Sequence, residues 1–275
     1  MIVFAFIILI SLTYVGLILA FTVGLKRVLS KKSEILNTEI KLSVIVAFKD
    51  EEANLPILLD ALANQSASQD FFEVILVDDH SFDRSLTIAN SYRSRIHSLS
   101  VIELPLDSYG KKAALACGIN LASNSFIVFT DADCIPAEYW LESISSFASK
   151  ESSLIIGAVV MSPINSFARK LQSLEYSSLM ASTAGSCGIG HPIMASSANL
   201  AFRKDMLRID AELMNSKVSS GDDMFLLHRA KRLKDCRIEF VNDARSIVQT
   251  TSEQSISKAL EQRKRWASKS LYYKD

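Results

Sequence analysis

The sequence has no excess of charge of either sign, since 30 lysines and arginines balance 30 aspartates and glutamates among its 275 residues. A protein that binds nucleic acid through the phosphate backbone needs a surplus of positive side chains, which is missing here. We therefore expect no nucleic-acid partner. With 49% hydrophobic residues, the chain can bury the core of one large domain or of two small ones.

Cysteines are few and scattered, and none forms a C-x-x-C pair. The four are Cys117, Cys134, Cys187 and Cys236. A disulfide framework or a cysteine-ligated zinc site would need a recognisable spacing, so neither is predicted, and the four suit a reducing compartment as small buried residues. The sequence also has no internal repeat and no G-x-x-x-x-G-K-[ST] phosphate loop.

Charged side chains are absent from residues 1–25, which are mainly apolar. A helix of this length crosses the ~30 Å hydrocarbon layer and satisfies its own backbone hydrogen bonds. The alternative is a cleaved signal peptide. Against it, the apolar segment is too long, no basic residue precedes it and no small-x-small cleavage site ends it. A retained transmembrane helix over residues 1–25 is the preferred interpretation.

Basic residues follow this segment directly, in a polar linker that we place at residues 26–40. They are Lys26, Arg27, Lys31 and Lys32. By the positive-inside rule they place the remainder of the chain in the cytoplasm. We therefore expect a protein of the inner (cell) membrane with one large cytoplasmic domain, residues 41–275.

Short apolar segments alternate with segments of helical periodicity from residue 41 onward. The strand-like segments include LSVIVAF, FEVILV, VIEL, FIVF and LIIGAVV. Strands that are apolar throughout and alternate with helices indicate an α/β fold, with a mostly parallel sheet covered by helices on both faces. Farther along, SPINSFARKLQSLEYSSLMAS predicts a helix and AGSCGIGHP a flexible loop. Ligands of such folds bind beyond the carboxyl ends of the strands.

Two aspartates follow the fourth strand-like segment. Asp131 and Asp133 are separated by one small residue, and residues two apart on an extended chain point to the same side. Two carboxylates that close repel unless a cation or a proton lies between them. Mg²⁺ takes one or two carboxylates and completes its shell with water and phosphate oxygens. The pair therefore predicts a holder for a metal–diphosphate, with an ordinary turn after a strand as the alternative.

A second pair of acids, Asp78 and Asp79, ends another strand. These acids either accept hydrogen bonds from a base or a ribose, or cap the next helix, for which Ser81 and Asp83 are further candidates. Asp50 and Glu51 occupy the corresponding place after the first strand.

Gly110, Lys111 and Lys112 stand at the start of a predicted helix. Helix N-termini attract anions, and a lysine there adds a point charge for phosphate. For Lys112 we expect simple exposure, whereas for Lys111 both interpretations stay open.

Two later helices carry further candidates. Asp222 and Asp223 begin one helix, where an acid either responds to the helix dipole or acts as a general base. In the last helix the i, i+3, i+4 spacing places three polar or aromatic side chains on one face: Gln262, Arg265 and Trp266. An indole can stack on a sugar ring, while a basic, tryptophan-bearing helix at a bilayer surface is the alternative.

Taken in order, these segments resemble the family 2 glycosyltransferases with the GT-A fold. The segments are SVIVAFKDEEANL, LVDDHS, GKKAAL, TDADC, ANLAFRK, GDD and QRKRW. The closer likeness is to the membrane-attached members that include cellulose and hyaluronan synthases. It covers about residues 40–270, and the ordered set is more specific than any single segment.

The resemblance implies a role for each matching residue. Asp78 and Asp79 match the pair that contacts uridine, Lys111 matches the lysine near the diphosphate, and Asp131 and Asp133 match the metal-binding D-x-D. The catalytic base corresponds to Asp223, preceded by Asp222. The Q-x-x-R-W signature, which contacts the acceptor and the diphosphate, corresponds to Gln262, Arg265 and Trp266. The first-strand loop that touches the nucleotide corresponds, less closely, to Asp50 and Glu51.

The sequence departs from the family pattern in three places. Ala116 stands where the family has Asn in G-K-x-x-A-L-N, and Asp222 replaces the commoner Glu before the base. Family members of this type continue into further membrane helices after Q-x-x-R-W, whereas this sequence ends at Asp275. We therefore expect that the chain is truncated before such helices.

The resemblance implies an inverting, metal-dependent glycosyltransferase. It would use Mg²⁺ or Mn²⁺ and a UDP- or GDP-sugar, and its acceptor would be a carbohydrate or lipid-linked hydroxyl at the lipid bilayer. One alternative is a nucleotidyltransferase that acts on a sugar phosphate, although no Gly-rich phosphate loop follows SVIVAF. Another is a catalytically silent membrane-bound sensor of nucleotide sugars.

Overall fold

A computed structural model of the chain describes residues 2–31, 40–148, 152–162, 166–205, 222–253 and 255–269. Within these ranges lie eight α-helices: α1 (Ile2–Ser30), α2 (Leu55–Ala63), α3 (Ser85–Ser91), α4 (Lys111–Leu121), α5 (Trp140–Phe147), α6 (Phe167–Gly188), α7 (Asp222–Arg232) and α8 (Ile256–Lys269). The strands of the same ranges are β1 (Leu42–Phe48), β2 (Phe72–Asp78), β3 (Leu99–Glu103), β4 (Phe126–Phe129), β5 (Ile135–Pro136), β6 (Ser152–Ile156), β7 (Val159–Met161), β8 (Leu200–Arg203), β9 (Arg237–Phe240) and β10 (Val248–Thr250).

Seven strands form the central sheet, in the order β3-β2-β1-β4-β8-β6-β9. The first four in the chain are parallel, while β8 is antiparallel to both of its neighbours. From β1 the strand order runs one way to β2 and β3 and the other way to β4. The order therefore reverses between β1 and β4, where ligands of such sheets bind. The predicted α/β fold with a mainly parallel sheet is confirmed.

Helices cover both faces of this sheet, as alternation along β1 shows. Val44 and Val46 belong to an apolar cluster with the buried leucines of α2, whereas Ile45 belongs to a second cluster with α4 and α7. Successive side chains of a strand point to opposite faces, so a strand covered on both sides is apolar throughout. The leucines of α2 at helical spacing are all buried: Leu55, Leu58, Leu59 and Leu62.

A second, three-stranded sheet has the order β5-β10-β7. The segment LIIGAVV, predicted as one strand, splits between the two sheets: β6 ends at Ile156 and β7 begins at Val159. The prediction is wrong because the chain bends around Asn199, and a Cβ on Gly157 would lie 2.1 Å from the Asn199 Nδ2 atom.

Helix α6 continues to Gly188, through most of the segment AGSCGIGHP that we predicted as a loop. Gly185 and Gly188 of this segment permit a close crossing of α6 and α1, and they do not form a flexible loop. A Cβ on Gly24 of α1 would lie 1.9 Å from the carbonyl oxygen of Gly185, and one on Gly188 would lie 2.0 Å from that of Gly24. Only glycine permits the two backbones to approach this closely.

The C-terminal end of α1 is also fastened to the sheet. The Asn242 Nδ2 atom donates to the carbonyl oxygens of Val28, at 2.7 Å, and Lys31, at 2.6 Å. The Val28 oxygen also accepts from the Lys31 amide at 3.2 Å, so Asn242 bonds to the chain where α1 ends. The Lys31 ammonium lies 2.5 Å from the Glu239 carboxylate of β9. The apolar helix α1 is therefore docked on the α/β domain by its last two turns.

Asn199, directly before β8, joins four parts of the fold. Its Oδ1 atom accepts from the Trp140 indole at 2.9 Å, and its Nδ2 atom donates to the carbonyl oxygens of Ala158, at 2.9 Å, and Ser246, at 3.1 Å. Because Asn199 is buried, a partner group that lost its hydrogen bond to Asn199 would have no water to bond with instead. Asn199 thereby holds together α5, the bend between β6 and β7, the segment before β10 and the start of β8.

We expect Asn199→Ala to lower the free energy of unfolding by about 3 kcal/mol, because each buried group left without a partner costs about 1–3 kcal/mol. Chemical denaturation of the full chain in detergent micelles would measure the loss. Asn120→Ala, at an exposed position of α4, is the matched control and should change stability by less than about 0.5 kcal/mol. Equal effects of the two substitutions would contradict the role of Asn199.

Candidate active site

The two aspartates after β4 lie at the switch point of the central sheet. Asp131, Asp133 and Cys134 each offer a potential ligand atom, and these atoms all lie within 4.8 Å of one another. The two carboxylates thus lie together as predicted, but on a turn and not on an extended chain, because the Cys134 amide donates to the Asp131 carbonyl oxygen at 3.0 Å. Ala132 between them is buried in the core, which leaves both acids at the edge of the sheet.

The surroundings of the pair favour a divalent cation with oxygen ligands. Burial raises the pKa of the Asp133 carboxyl, and the negative charge of Asp131 adds to the rise while Lys111 opposes it. Burial also raises the pKa of the Cys134 thiol well above its usual range. Two carboxylates with space for phosphate oxygens fit Mg²⁺ or Mn²⁺.

Lys111 reaches this pair from the first residue of α4. Its Nζ atom lies 2.6 Å from the Asp131 Oδ1 atom and 3.2 Å from the Ser197 Oγ atom. Lys111 is therefore paired and not merely exposed, and its role near a phosphate stays a prediction. The expectation for Lys112 is wrong, because this side chain is half-buried with its Nζ atom 4.9 Å from the centre of the Phe225 ring.

Both acids after β2 are buried and bonded to backbone amides. The Asp78 carboxylate accepts from the Ser81 amide at 3.2 Å and from the Ser81 hydroxyl, and Asp79 accepts from the Gly110 amide at 2.9 Å. Neither caps α3. The N-cap residue is Arg84, whose side chain makes no capping hydrogen bond, and Asp83 before it accepts from the amide of Ser85, the first residue of the helix, at 2.9 Å.

The loop after β1 is tied to the loop after β2. Asp50 accepts from the Phe82 amide at 2.7 Å, and the Glu51 amide donates to the Ser85 hydroxyl at 2.8 Å. Asp50 and His80 both have left-handed backbones, with φ of 52° and 57°. Backbone strain of this kind concentrates at functional sites.

Glu51 faces the acids of the D-x-D. Burial raises the pKa of its carboxyl, the hydrogen bond from Asn54 opposes the rise, and the nearby charges of Asp133, Asp83 and Asp131 increase it. Several acids therefore share one crevice, which a cation would stabilise.

The rings of two residues next to the acids of this crevice, His80 and Tyr109, pack together. The His80 and Tyr109 ring centroids are 4.7 Å apart, and the His80 Nε2 atom is 3.0 Å from the carbonyl oxygen of Ser108. The two residues are 29 positions apart in the chain, so no local pattern could have indicated the contact.

Asp223 lies on the other side of Ser197 from Asp131. The Ser197 amide donates to the Asp223 Oδ2 atom at 3.3 Å, while its hydroxyl donates to the Asp131 Oδ1 atom at 3.4 Å. The Met224 amide also donates to Asp223, at 2.8 Å. One serine thus links the D-x-D to the predicted base. The side chain of Asp222 lies outside the described residues.

Tyr176 of α6 is a further residue that the sequence did not indicate. Burial raises the pKa of its phenol to about 12, and its oxygen is close enough to Asp131 and Asp223 to feel their charges. Its ring centroid lies 6.1 Å from that of Trp266 on α8. The structure therefore connects Trp266 to the acids through Tyr176.

The other two residues of the Q-x-x-R-W set are placed differently. The Gln262 Oε1 atom accepts from Arg263 at 2.8 Å, and Arg263 also pairs with Glu175 of α6 at 2.8 Å. Arg265 is exposed, and within the described part of the chain its side chain forms no hydrogen bond or ion pair. The structure thus brings Trp266 to the site, and it does not bring Arg265 to the acids.

Comparison with known proteins adds a family match. The model of the family described as "Glycosyl transferase family 2" matches residues 43–209, more than half of the chain. Glycosyltransferase AglE of Haloferax volcanii is 27% identical over 196 residues, which cover 70% of this chain and 61% of that protein. The poly(ribitol-phosphate) beta-glucosyltransferase of Bacillus spizizenii is 34% identical over 94 residues, 34% of this chain and 15% of that protein. The chain thus spans between 15% and 61% of the length of these two relatives.

Solved structures share the fold. A mannosyltransferase from Pyrobaculum calidifontis, in complex with GDP-Man and Mn²⁺, superposes with a TM-score of 0.68 at 18% identity, over 98% of this chain and 75% of that one. Residues 1–349 of Staphylococcus aureus TarS, in complex with UDP, give a TM-score of 0.57 at 23% identity, over 78% and 61% of the two chains. The closer likeness to cellulose and hyaluronan synthases stays a prediction.

We expect Asp133→Asn to weaken Mn²⁺ binding at least about 10-fold in the presence of UDP or GDP, because the substitution removes one of two charged ligands. Even the loss of a residue that only supports a metal ligand typically lowers metal affinity by about 10-fold or more. Titration of the full chain with Mn²⁺, followed by electron paramagnetic resonance, would measure it. Asp70→Asn, at an exposed turn before β2, should leave the affinity unchanged. Equal affinities in the two variants would exclude Asp133 as a ligand.

Proposed function

The chain belongs to glycosyl transferase family 2, and on this basis we propose that it transfers a sugar from a nucleotide-diphosphate sugar to a hydroxyl group of an acceptor. The observation that carries the proposal is the convergence on Ser197. Its hydroxyl contacts Lys111 and Asp131, and its amide contacts Asp223. Ser197 therefore contacts both the candidate diphosphate site and the candidate base, at the switch point of the sheet.

The diphosphate of the donor would lie between the D-x-D and the start of α4. Asp131 and Asp133 would hold Mg²⁺ or Mn²⁺, which supplies positive charge to the departing diphosphate. Lys111 now neutralises Asp131 at 2.6 Å, and it is placed to turn toward a phosphate oxygen once the carboxylate is otherwise neutralised. Two positive groups on one leaving group lower the barrier by electrostatic stabilisation.

The nucleoside would occupy the crevice between the loops that follow β1, β2 and β3. Asp50, Glu51, Asp78 and Asp79 shape this crevice, and its relatives in the fold bind UDP and GDP-Man. The carboxylates of Asp78 and Asp79 already accept hydrogen bonds from backbone amides. A base or a ribose would therefore donate to the remaining lone pairs of these carboxylate oxygens. The paired rings of His80 and Tyr109 offer an aromatic edge beside it.

Asp223 would act as the general base. The acceptor hydroxyl loses its proton to Asp223 and attacks the anomeric carbon as the bond to the diphosphate breaks, which inverts the configuration. Two backbone amides hold the carboxylate in one orientation, so the proton acceptor is positioned before the acceptor binds. Trp266, with Gln262 and Arg265 on the same helix, would contact the acceptor.

The helix α1 would anchor the enzyme in the membrane. Among the described residues, α1 is the helix that is long and apolar enough to span a membrane. Lys26 and Arg27 follow its apolar part. By the positive-inside rule the α/β domain lies in the cytoplasm, at the inner membrane. A carbohydrate or lipid-linked acceptor at the bilayer is consistent with this placement.

We expect Asp223→Asn to reduce transfer by about 10²–10⁴-fold, the usual contribution of general-base catalysis, while the affinity for the nucleotide stays unchanged. Release of UDP or GDP, with calorimetric titration of the nucleotide, would separate the two effects. Asp235→Asn, exposed after α7, is the matched control. Simultaneous loss of transfer and of nucleotide binding would show that Asp223 is structural.

Metal dependence and reaction class can be tested together. We expect the full chain in lipid nanodiscs to release UDP or GDP from one member of a panel of nucleotide sugars. EDTA should stop this release, and Mg²⁺ or Mn²⁺ should restore it, because the acids need a cation beside the diphosphate. Pyrophosphate release from a sugar phosphate and an NTP would instead indicate a nucleotidyltransferase. Binding of a nucleotide sugar without any release would indicate a sensor.

A further inference from the structure

Helices α6 and α8 present large apolar side chains to the outside. On α6, Phe167 is 84% exposed and Leu174 is 68% exposed, and Leu171 lies between them on the same stripe. On α8, Ile256 is 64% exposed, with Leu260 one turn later. Five such residues on two neighbouring helices form more than the scattered exposure that is normal for a protein surface.

The two stripes are adjacent. Ile256, Leu260 and Arg263 lie at i, i+4 and i+7 on α8, and Arg263 pairs with Glu175 of α6 at 2.8 Å. Glu175 directly follows Leu174, so the ion pair joins one stripe to the other. The five apolar residues, together called here the α6–α8 face, form one surface.

The crossing of α1 and α6 gives the direction of this surface. A Cβ on Gly185 would lie 2.4 Å from the carbonyl oxygen of Phe21, and one on Gly188 would lie 2.0 Å from that of Gly24. The contacts advance by three residues along both helices, so the helices run in the same direction where they cross. The N-terminal half of α6 therefore extends to the side of the crossing on which the apolar part of α1 lies.

Helix α6 does not follow α1 along its length, however. Residues 2–19 of α1 are all exposed, so α6 diverges from α1 at the crossing. At ~1.5 Å per residue, Leu174 lies about 16 Å and Phe167 about 27 Å along α6 from Gly185. A helix that heads toward the bilayer but diverges from the spanning helix meets the headgroup layer at a slant.

The charges of this surface suit an anionic bilayer. Lys170 on α6 and Lys264 on α8 are exposed near the apolar stripes, and Glu175 is paired with Arg263. Glu261 is the exposed acid on the described part of α8. Apolar residues flanked by lysines are typical of helices that lie in the membrane interface.

We propose that the α6–α8 face is a second membrane-contact surface, which rests on the headgroup and acyl boundary of the bilayer that α1 spans. The proposal rests on the membrane anchoring by α1 proposed above, and it does not depend on the catalytic reaction. It restricts the rotation of the α/β domain about α1, because the domain then meets the membrane at a second place.

Photo-crosslinking of the full chain in nanodiscs that contain anionic lipid tests the proposal. Benzoylphenylalanine would replace, one at a time, Phe167 on the face, Phe6 in α1 and Phe82 in the loop after β2, which is 91% exposed. We expect lipid adducts at Phe6 and Phe167 and background yield at Phe82. The yield at Phe167 should fall at high salt, because part of the attraction is electrostatic, while the yield at Phe6 should not change.

The controls separate the two proposals. Adducts at Phe6 with only background yield at Phe167 would overturn the contact surface and leave the anchor in place. Background yield at both would overturn the anchor and the surface together. An adduct at Phe167 with a second copy of the chain, in place of lipid, would show a dimer surface and overturn the proposal.

In Leu171→Asp/Leu174→Asp we expect the yield at Phe167 to fall several-fold with nucleotide affinity retained, and an unchanged yield would contradict the proposal.

Discussion

The carboxylate oxygens of Asp131 and Asp133 lie within 4.8 Å of each other at the end of β4. Two such charges repel by about 3 kcal/mol at an effective dielectric constant of about 20. Lys111, 2.6 Å from Asp131, offsets part of this repulsion. Much of the neighbouring structure holds that lysine in place. Asp79 accepts from the Gly110 amide and so fixes the start of α4, and the Ser197 hydroxyl contacts both partners of the ion pair.

The elements that the sequence predicts well are those with a local cause. The inner parallel strands β1, β2 and β4 are mainly apolar because helices cover both faces of the sheet. The leucines from Leu55 to Leu62 repeat at helical spacing because α2 packs on one of these faces. The proximity of the two D-x-D carboxylates was also predicted, although a turn from Asp131 to Cys134 brings them together and not the extended chain that the prediction assumed. These features follow from periodicity, and they were predicted without reference to distant contacts.

The elements that the sequence analysis missed depend on contacts between distant residues. Gly185 and Gly188 suggest a flexible loop by composition, but their role is to admit the backbone of α1, more than 160 positions away. Gly157 divides a continuous apolar segment because Asn199 occupies the space beside it. Tyr176 and Ser197 carry no motif, and only the packing of α6 against the sheet brings the phenol near the acids. No local pattern contains this information.

Helix α6 lies between the candidate active site and the proposed membrane-contact surface. Tyr176 points inward, toward Ser196 and the acids, and Leu174, two positions earlier and so on the opposite side of the helix, is exposed. The thickness of one helix, about 10 Å, thus separates the candidate active site from the proposed membrane surface. Trp266 packs on the same helix from α8. If the α6–α8 face rests on lipid, an acceptor held at the bilayer needs only a short reach to Trp266. The glycine crossing with α1 then sets the distance between the membrane and the acids of the candidate active site, because the two helices cannot move apart without losing that contact.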